Sequence, residues 1–344
     1  MHPPNWWHKE NGSLLPKYLS PLGAAYGQIV SARFRYTTPY QCKRPIICVG
    51  NFTLGGTGKT PLSIKLMQML QKDGWNPSFL SRGYGGTLKG PILVDPNDLQ
   101  ADEVGDEPLL LAAHAPTVIA KNRVEGAWLL EQRQTDLIIM DDGFQNPTLG
   151  KTLSLLSVDS TVGFGNGRIF PAGPLRAPLE FQLGRADAII ITGPKNLKMT
   201  EEFKSKYNFK NPIVSGEVQP ISETDWVKEK PILAYAGIAR PEKLFKSLSQ
   251  AGGKVIRRQP FPDHYKFKAK DAEDLIKLAL KDDLQLITTE KDLIRINADE
   301  HHQLRALKRM SRALPVGFEF HEEGEKQLLK LIKQSLHQHA QKDE

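Results

Sequence analysis

The apolar run Ile46-Ile47-Cys48-Val49 passes through Gly50-Asn51 into Thr53-Leu54-Gly55-Gly56-Thr57-Gly58-Lys59-Thr60, and then into a helical pattern over residues 60–72 that is closed by Gly74. This succession constrains the fold more tightly than any other stretch. A β-branched apolar run reads as a buried strand. A glycine-rich loop between strand and helix lets backbone N–H groups close around phosphate oxygens, with the positive end of the helix dipole behind them. Lys59 is then placed to reach the β- and γ-phosphates, and the Thr60 hydroxyl to ligate Mg²⁺. Thr53 stands where the usual form of such a loop has its first glycine. Residues 53–60 therefore read as a nucleotide site.

The rest of the chain repeats the same grammar. Apolar runs at 78–81, 92–94, 118–120, 137–140, 153–158 and 188–192 are separated by helical stretches. Continuous rather than alternating apolar runs point to an α/β fold of the P-loop NTPase type, a mostly parallel sheet with helices on both faces. The polar stretch with Pro212, Pro220 and Ser222 reads as a linker. After it come a strand at 232–236, a helix at 241–250, a strand at 255–257, a helix at 270–280 and a strand at 284–288, a smaller second α/β unit. The expected organisation is an N-terminal amphipathic helix within 1–36, a P-loop nucleotide-binding domain over 37–214, a linker over 215–230, a smaller α/β domain over 231–320, and a C-terminal helix over 321–344. In that last helix Leu329, Ile332 and Leu336 share a face.

Charge is informative once located. Of the net charge of +7, five units sit in residues 1–45, where Lys9, Lys17, Arg33, Arg35, Lys43 and Arg44 face Glu10 alone. A nucleic-acid binder spreads cations along a groove interleaved with aromatics, and that pattern is missing. The uncharged stretch 18–32 contains Pro21, Gly23, Gly27, Gln28 and Ser31, too short and too polar for a membrane span of about 20 apolar residues. Its flanking charges also fit a signal peptide poorly. What remains is an amphipathic helix with Leu15, Leu19, Leu22, Tyr26 and Ile29 on one face, packed on the core or lying on an anionic membrane surface beside Trp6 and Trp7. Cys42 and Cys48 make neither a disulfide framework nor a zinc site, and read as reduced thiols.

Asp141-Asp142-Gly143-Phe144-Gln145 follows the strand at 137–140, so its carboxylates lie where a strand-end acid holds Mg²⁺ or its water. Ser81-Arg82-Gly83-Tyr84-Gly85-Gly86, Gly105-Asp106-Glu107-Pro108, and the loops at 163–168 and 171–176 add cations and carboxylates suited to an anionic substrate. Pro262-Asp263-His264-Tyr265 and Thr288-Thr289-Glu290-Lys291-Asp292 each follow a strand of the second unit.

Taken in order with Pro4-Asn5-Trp6-Trp7, the loop at 49–61, and Ala236-Gly237-Ile238-Ala239-Arg240-Pro241, these elements resemble the tetraacyldisaccharide 4′-kinase family, the lipid A kinases, over nearly the whole chain. In that family Thr53 is the ordinary form of the loop. The resemblance implies transfer of the ATP γ-phosphate, with Mg²⁺, to the 4′-hydroxyl of tetraacyldisaccharide 1-phosphate, at the cytoplasmic face of the inner membrane and without an obligate protein partner. It implies Asp106 as catalytic base tuned by His264, Lys59 on the transferring phosphate, Thr60, Asp141 and Asp142 at the metal, and Tyr84, Arg123 and Arg176 lining the cleft. Ala177 departs from the family, which often has an acid after that arginine. Two other readings compete: a soluble P-loop kinase or GTPase for a small molecule, and a nucleotide-driven membrane-organising ATPase. Leu54 counts against the second, because those proteins carry a lysine there.

Overall fold

The computed structural model describes residues 4–7, 14–221, 224–298 and 300–343. Lys9 and Glu10 of the leading segment and Ser222 of the expected linker lie outside them.

Among the described residues thirteen strands form two sheets. They are β1 (Ile46–Asn51), β2 (Pro77–Ser81), β3 (Ile92–Leu93), β4 (Thr117–Ile119), β5 (Leu137–Asp141), β6 (Leu153–Asp159), β7 (Ala188–Thr192), β8 (Ile213–Pro220), β9 (Ile232–Ala236), β10 (Val255–Pro260), β11 (Gln285–Thr289), β12 (Ser311–Leu314) and β13 (Val316–Phe320). The large sheet runs β13-β8-β7-β6-β1-β5-β2-β4-β3, and the small one β10-β9-β11-β12. Pairing in the large sheet is parallel from β8 to β4 and antiparallel only at its edges, β13 on β8 and β3 on β4.

The central strands are apolar on both faces because both are covered. Ile46 and Cys48 of β1, Ile138 and Met140 of β5, and Leu156 and Val158 of β6 fill one core. Their neighbours Ile47, Val49, Ile139 and Leu155 fill the other, against the Lys59–Lys72 helix and the C-terminal Gly324–Asp343 helix. The chain moves from β1 outward on one side, returns to β5 beside β1, and continues on the other side through β6. A sheet whose order reverses at a strand leaves a crevice at the carboxyl ends there. The loop after Asn51, Asp141 at the end of β5 and Asp159 at the end of β6 all open into it.

Three expectations need correction. Residues 215–220, expected as linker, belong to β8, which pairs with β13 from Val316↔Pro220 to Phe320↔Gly216. Their polarity is the outer half of an alternation in which Val214 is buried and Gln219 exposed. Residues 316–320, assigned to the smaller unit, are β13 of the large sheet. In the C-terminal helix the buried series is Leu328, Ile332 and Leu336, at four-residue steps, and Leu329 is only half-buried.

The N-terminal helix spans Leu15–Tyr36 and buries Pro16, Gly23, Gly27 and Val30. Glycine lets it lie close: a Cβ on Gly23 would stand 2.7 Å from the Ile169 carbonyl oxygen, and one on Gly27 2.8 Å from Ile169 Cδ1. Of the expected apolar stripe, Leu15, Leu22 and Ile29 are 53%, 59% and 61% exposed. That stripe therefore faces away from the core. Among the described residues no helix is long and apolar enough to cross a membrane.

Candidate active site

Residues 53–58 cross the crevice between β1 and the Lys59–Lys72 helix, and Gly58 enters that helix at φ +82°, in the left-handed region that favours glycine. The loop is pinned from behind. Asn51 Nδ2 donates to the Gly55 carbonyl at 3.2 Å, and the Thr57 and Ser157 hydroxyls lie 2.7 Å apart. The segment leading to Arg176 runs alongside: Leu54 N donates to Pro174 O at 2.8 Å, Arg176 N to Phe52 O at 3.0 Å, and Arg176 Nε to Thr53 O at 3.2 Å. Among the described residues the N–H groups of Gly55, Gly56, Thr57 and Gly58 donate to no protein acceptor. Four donors at the mouth of a helix make an anion cradle.

Two strand-end carboxylates flank it in opposite electrostatic states. Asp142 takes a two-pronged bond from Arg176, Nη1 to Oδ1 at 2.7 Å and Nη2 to Oδ2 at 3.1 Å, with Lys59 Nζ 3.7 Å from Oδ1. Desolvation opposes its ionisation, but Arg176 and then Lys59 outweigh that and hold it well below the usual carboxylate range. Asp141 is buried. Its Oδ1 accepts from Ser63 Oγ at 2.9 Å, while Oδ2 has no partner among the described residues. Burial, and next the charge of Glu107, push its carboxyl up to about 7.

The third group bridges to the small-sheet unit. Asp106 and Glu107 open the short Asp106–Ala112 helix. Glu107 Oε1 accepts from Thr60 Oγ1 at 3.4 Å and from Lys291 Nζ at 2.6 Å. Asp106 is 4% exposed, and its Oδ2 accepts both Nε (2.8 Å) and Nη2 of Arg295. His264 Nδ1 stands 3.8 Å from the same oxygen. Burial would raise the Asp106 carboxyl, but Arg295, Lys291 and His264 together hold it below its ordinary value. Arg295 also donates to Asp292 Oδ1 at 2.9 Å and to the Gly237 carbonyl at 2.6 Å. The cleft beside this cluster is lined by Gly85, Asp102, Asp106, His264, Lys266 and Arg295.

A phosphate cradle, two strand-end acids and an Asp–His pair shared between two sheets are what the motif resemblance implies, and the family model described as tetraacyldisaccharide-1-P 4′-kinase matches residues 15–336. The chain belongs to the tetraacyldisaccharide 4′-kinase family. The tetraacyldisaccharide 4′-kinase of Rhodopseudomonas palustris (strain HaA2) is 45% identical to it over 300 residues, 87% of this chain and 88% of that one. That of Bradyrhizobium sp. (strain ORS 278) is 41% identical over 326 residues, 94% of this chain and 95% of that one. The "apo" form of LpxK from Aquifex aeolicus, solved in complex with ATP, is similar in structure, with a TM-score of 0.72 at 27% identity over 94% of this chain and 99% of that one.

In this kinase the structure gathers Lys59, Asp142 and Arg176 around the phosphate loop beside Asp141, joins Thr60 to them through Glu107, and puts Asp106 and His264 in the neighbouring cleft. Tyr84 is exposed and meets the His264 ring edge-on, with centroids 5.5 Å apart. Arg123 is buried, with Nη1 on the Ala120 carbonyl and Nε without a partner among the described residues. Burial and the charge of Arg82 lower it to about 10. Reading the sequence misses Ser63, the link from Glu107 to Thr60, and above all Arg295, which takes the Asp106 oxygen nearest His264. The signal for the last is slight: Lys291 and Arg295 are four residues apart, one helical turn, directly after the conspicuous Thr289-Glu290.

Proposed function

We propose that this kinase transfers the γ-phosphoryl group of ATP to the 4′-hydroxyl of tetraacyldisaccharide 1-phosphate in lipid A synthesis, working from the cytoplasmic face of the inner membrane. The observation that carries the reading is the adjacent pair Asp106-Glu107. One carboxylate meets His264 and the other meets Thr60 of the phosphate loop, so the base and the phosphate cradle hang from a single helical turn.

The residues fit Mg²⁺. Among the described residues no three His, Cys, Asp or Glu side chains cluster as a metal cage, but Mg²⁺ at such sites needs only one or two carboxylates, keeping waters and phosphate oxygens for the rest. The orphaned Asp141 Oδ2, the Thr60 hydroxyl and Asp142 are that partial set. When bound, Mg²⁺ supplies neutralisation of charge on the phosphoryl oxygens.

The protein's own part is positioning. The free N–H groups and Lys59 hold the triphosphate. Arg176 orients Asp142, and the exposed Tyr84, packed on His264, faces the acceptor, whereas Arg123 is buried on the Ala120 carbonyl and acts from behind the site, not on the acceptor as expected. Arg295 keeps Asp106 ionised and aimed. Asp106 accepts the proton of the acceptor hydroxyl, and His264 relays it outward. Closure of the two units over the cleft excludes water. The outward stripe of the N-terminal helix, flanked by Lys17, Arg33 and Arg35 and extended by Phe170 against Tyr26, rests on the bilayer that holds the acyl chains.

The test is product mass after incubation with Mg-ATP and the acceptor in detergent micelles. A gain of one phosphate on the non-reducing sugar, lost in Lys59→Ala and Asp106→Ala, is expected. ATP hydrolysis without that product would overturn the assignment of the acceptor.

A further inference from the structure

Asp159 ends β6 at the rim of the crevice and is 2% exposed. Its Oδ1 is fixed by Thr161 N at 3.0 Å and Val162 N at 3.3 Å. Its Oδ2 receives two cations from the small-sheet unit, Lys243 Nζ at 2.9 Å and Nη2 of Arg240, from the segment after β9. The same Arg240 nitrogen donates to the Gly56 carbonyl at 2.8 Å, in the middle of the phosphate loop. Lys243 has no bond to the loop among the described residues. Two neighbouring cations thus share one carboxylate, and only one of them also holds the loop.

In a trans peptide the carbonyl and the following N–H point in opposite directions. Holding Gly56 O therefore aims the Thr57 N–H away from Arg240, as Asn51 on Gly55 O aims the Gly56 N–H. Both are among the free donors of the cradle. Asn51 ends the strand that leads into the loop, so its pin does not depend on the other unit. Arg240 is carried by the other unit, and its pin exists only when that unit is seated on Asp159.

We propose that Arg240 is a positioning residue which sets the Gly56–Thr57 peptide of the phosphate loop in its anion-binding orientation and so makes nucleotide affinity depend on seating of the small-sheet unit. This rests on reading residues 53–60 as the nucleotide site. Gly56 is exposed and glycine is conformationally permissive, so without the pin that peptide is free to turn over.

The test titrates full-length protein with Mg-ATP in the absence of acceptor. Arg240→Ala should raise the Kd roughly tenfold, the worth of one charge-assisted hydrogen bond, while Arg240→Lys, which keeps donor and charge, recovers most of it. Lys243→Ala removes a cation from the same carboxylate without touching the loop, and should stay within about twofold on the same reasoning. In steady state the Arg240→Ala defect should appear in KM for ATP, with kcat nearly unchanged. Equal weakening by Arg240→Ala and Lys243→Ala would reduce Arg240 to general docking and overturn the proposal, as would an unchanged Kd in Arg240→Ala. Lys59→Ala separates the two levels: if it binds Mg-ATP as well as the wild type, the reading of the loop itself fails.

Discussion

Replacing Leu22 and Ile29 together by Glu should detach the kinase from anionic vesicles while leaving its fold intact. The two side chains are 59% and 61% exposed, one above the other on the outer face of the N-terminal helix. Fully burying a Leu or Ile side chain is worth about 1.5–3 kcal/mol, so burying the three-fifths now in water contributes about 0.9–1.8 kcal/mol for each. The pair then accounts for about 1.8–3.6 kcal/mol, roughly a 20- to 400-fold change in partitioning, before any repulsion of the new carboxylates by anionic lipid. Exposed substitutions of this kind shift folding stability by only about 0.5 kcal/mol. Sedimentation with vesicles of anionic phospholipid measures the first quantity and urea denaturation the second. Retained vesicle binding would refute the membrane role of this face. A loss of several kcal/mol of stability would show that the face is buried against protein. Gly27→Leu supplies the opposite pattern, because the added side chain collides with Ile169 and Pro178 and should loosen the helix from the body of the enzyme.

Other outcomes follow from the cleft. His264→Ala should depress kcat far more than it changes Kd for ATP, since the ring meets Asp106 and Tyr84 and no part of the phosphate loop; an unchanged kcat would remove His264 from the proton path. Arg295→Met strips Asp106 and Asp292 of their shared cation and should cost about 3–5 kcal/mol, as removal of one member of a buried ion pair does; its acidic kcat limb should also move to higher pH, and a profile superposing on the wild type would contradict the role given to Arg295. Asp141, pushed up to about 7 in the fold, holds its proton more tightly folded than unfolded. In metal-free protein its stabilising contribution is complete below about pH 4 and is lost as pH rises through about 7. Asp141→Asn should therefore flatten the fall in melting temperature across that window, and parallel curves for the two proteins would count against it.

How much of this is legible in the sequence depends on distance along the chain. The phosphate loop, the acids after β5 and most central strands are local patterns, each visible within a dozen residues. β8 reads as linker because it alternates next to an edge, and its partner β13 lies about a hundred residues away. The helical stripe at Leu15, Leu22 and Ile29 is real, but which way it faces is decided by Gly23 and Gly27 meeting Ile169, a contact that no helical periodicity contains. Arg295 on Asp106 spans 189 positions, so its meeting with the base follows from the packing of two sheets and not from any motif.

β8 and β13 carry a topological consequence of their own. The chain leaves the large sheet at Pro220 and re-enters it at Val316, and these two residues are register partners on adjacent antiparallel strands. Everything between them is an insertion whose two ends emerge side by side, at the roughly 5 Å spacing of a strand pair. On the proposed closure, a body tethered by two adjacent antiparallel strands instead of one would tip toward or away from the cleft and resist swivelling, returning Arg240, His264, Lys291 and Arg295 to the same partners. The same geometry means that a short hairpin turn from Pro220 to Val316 would span the gap and leave the strand pairing of the large sheet unbroken.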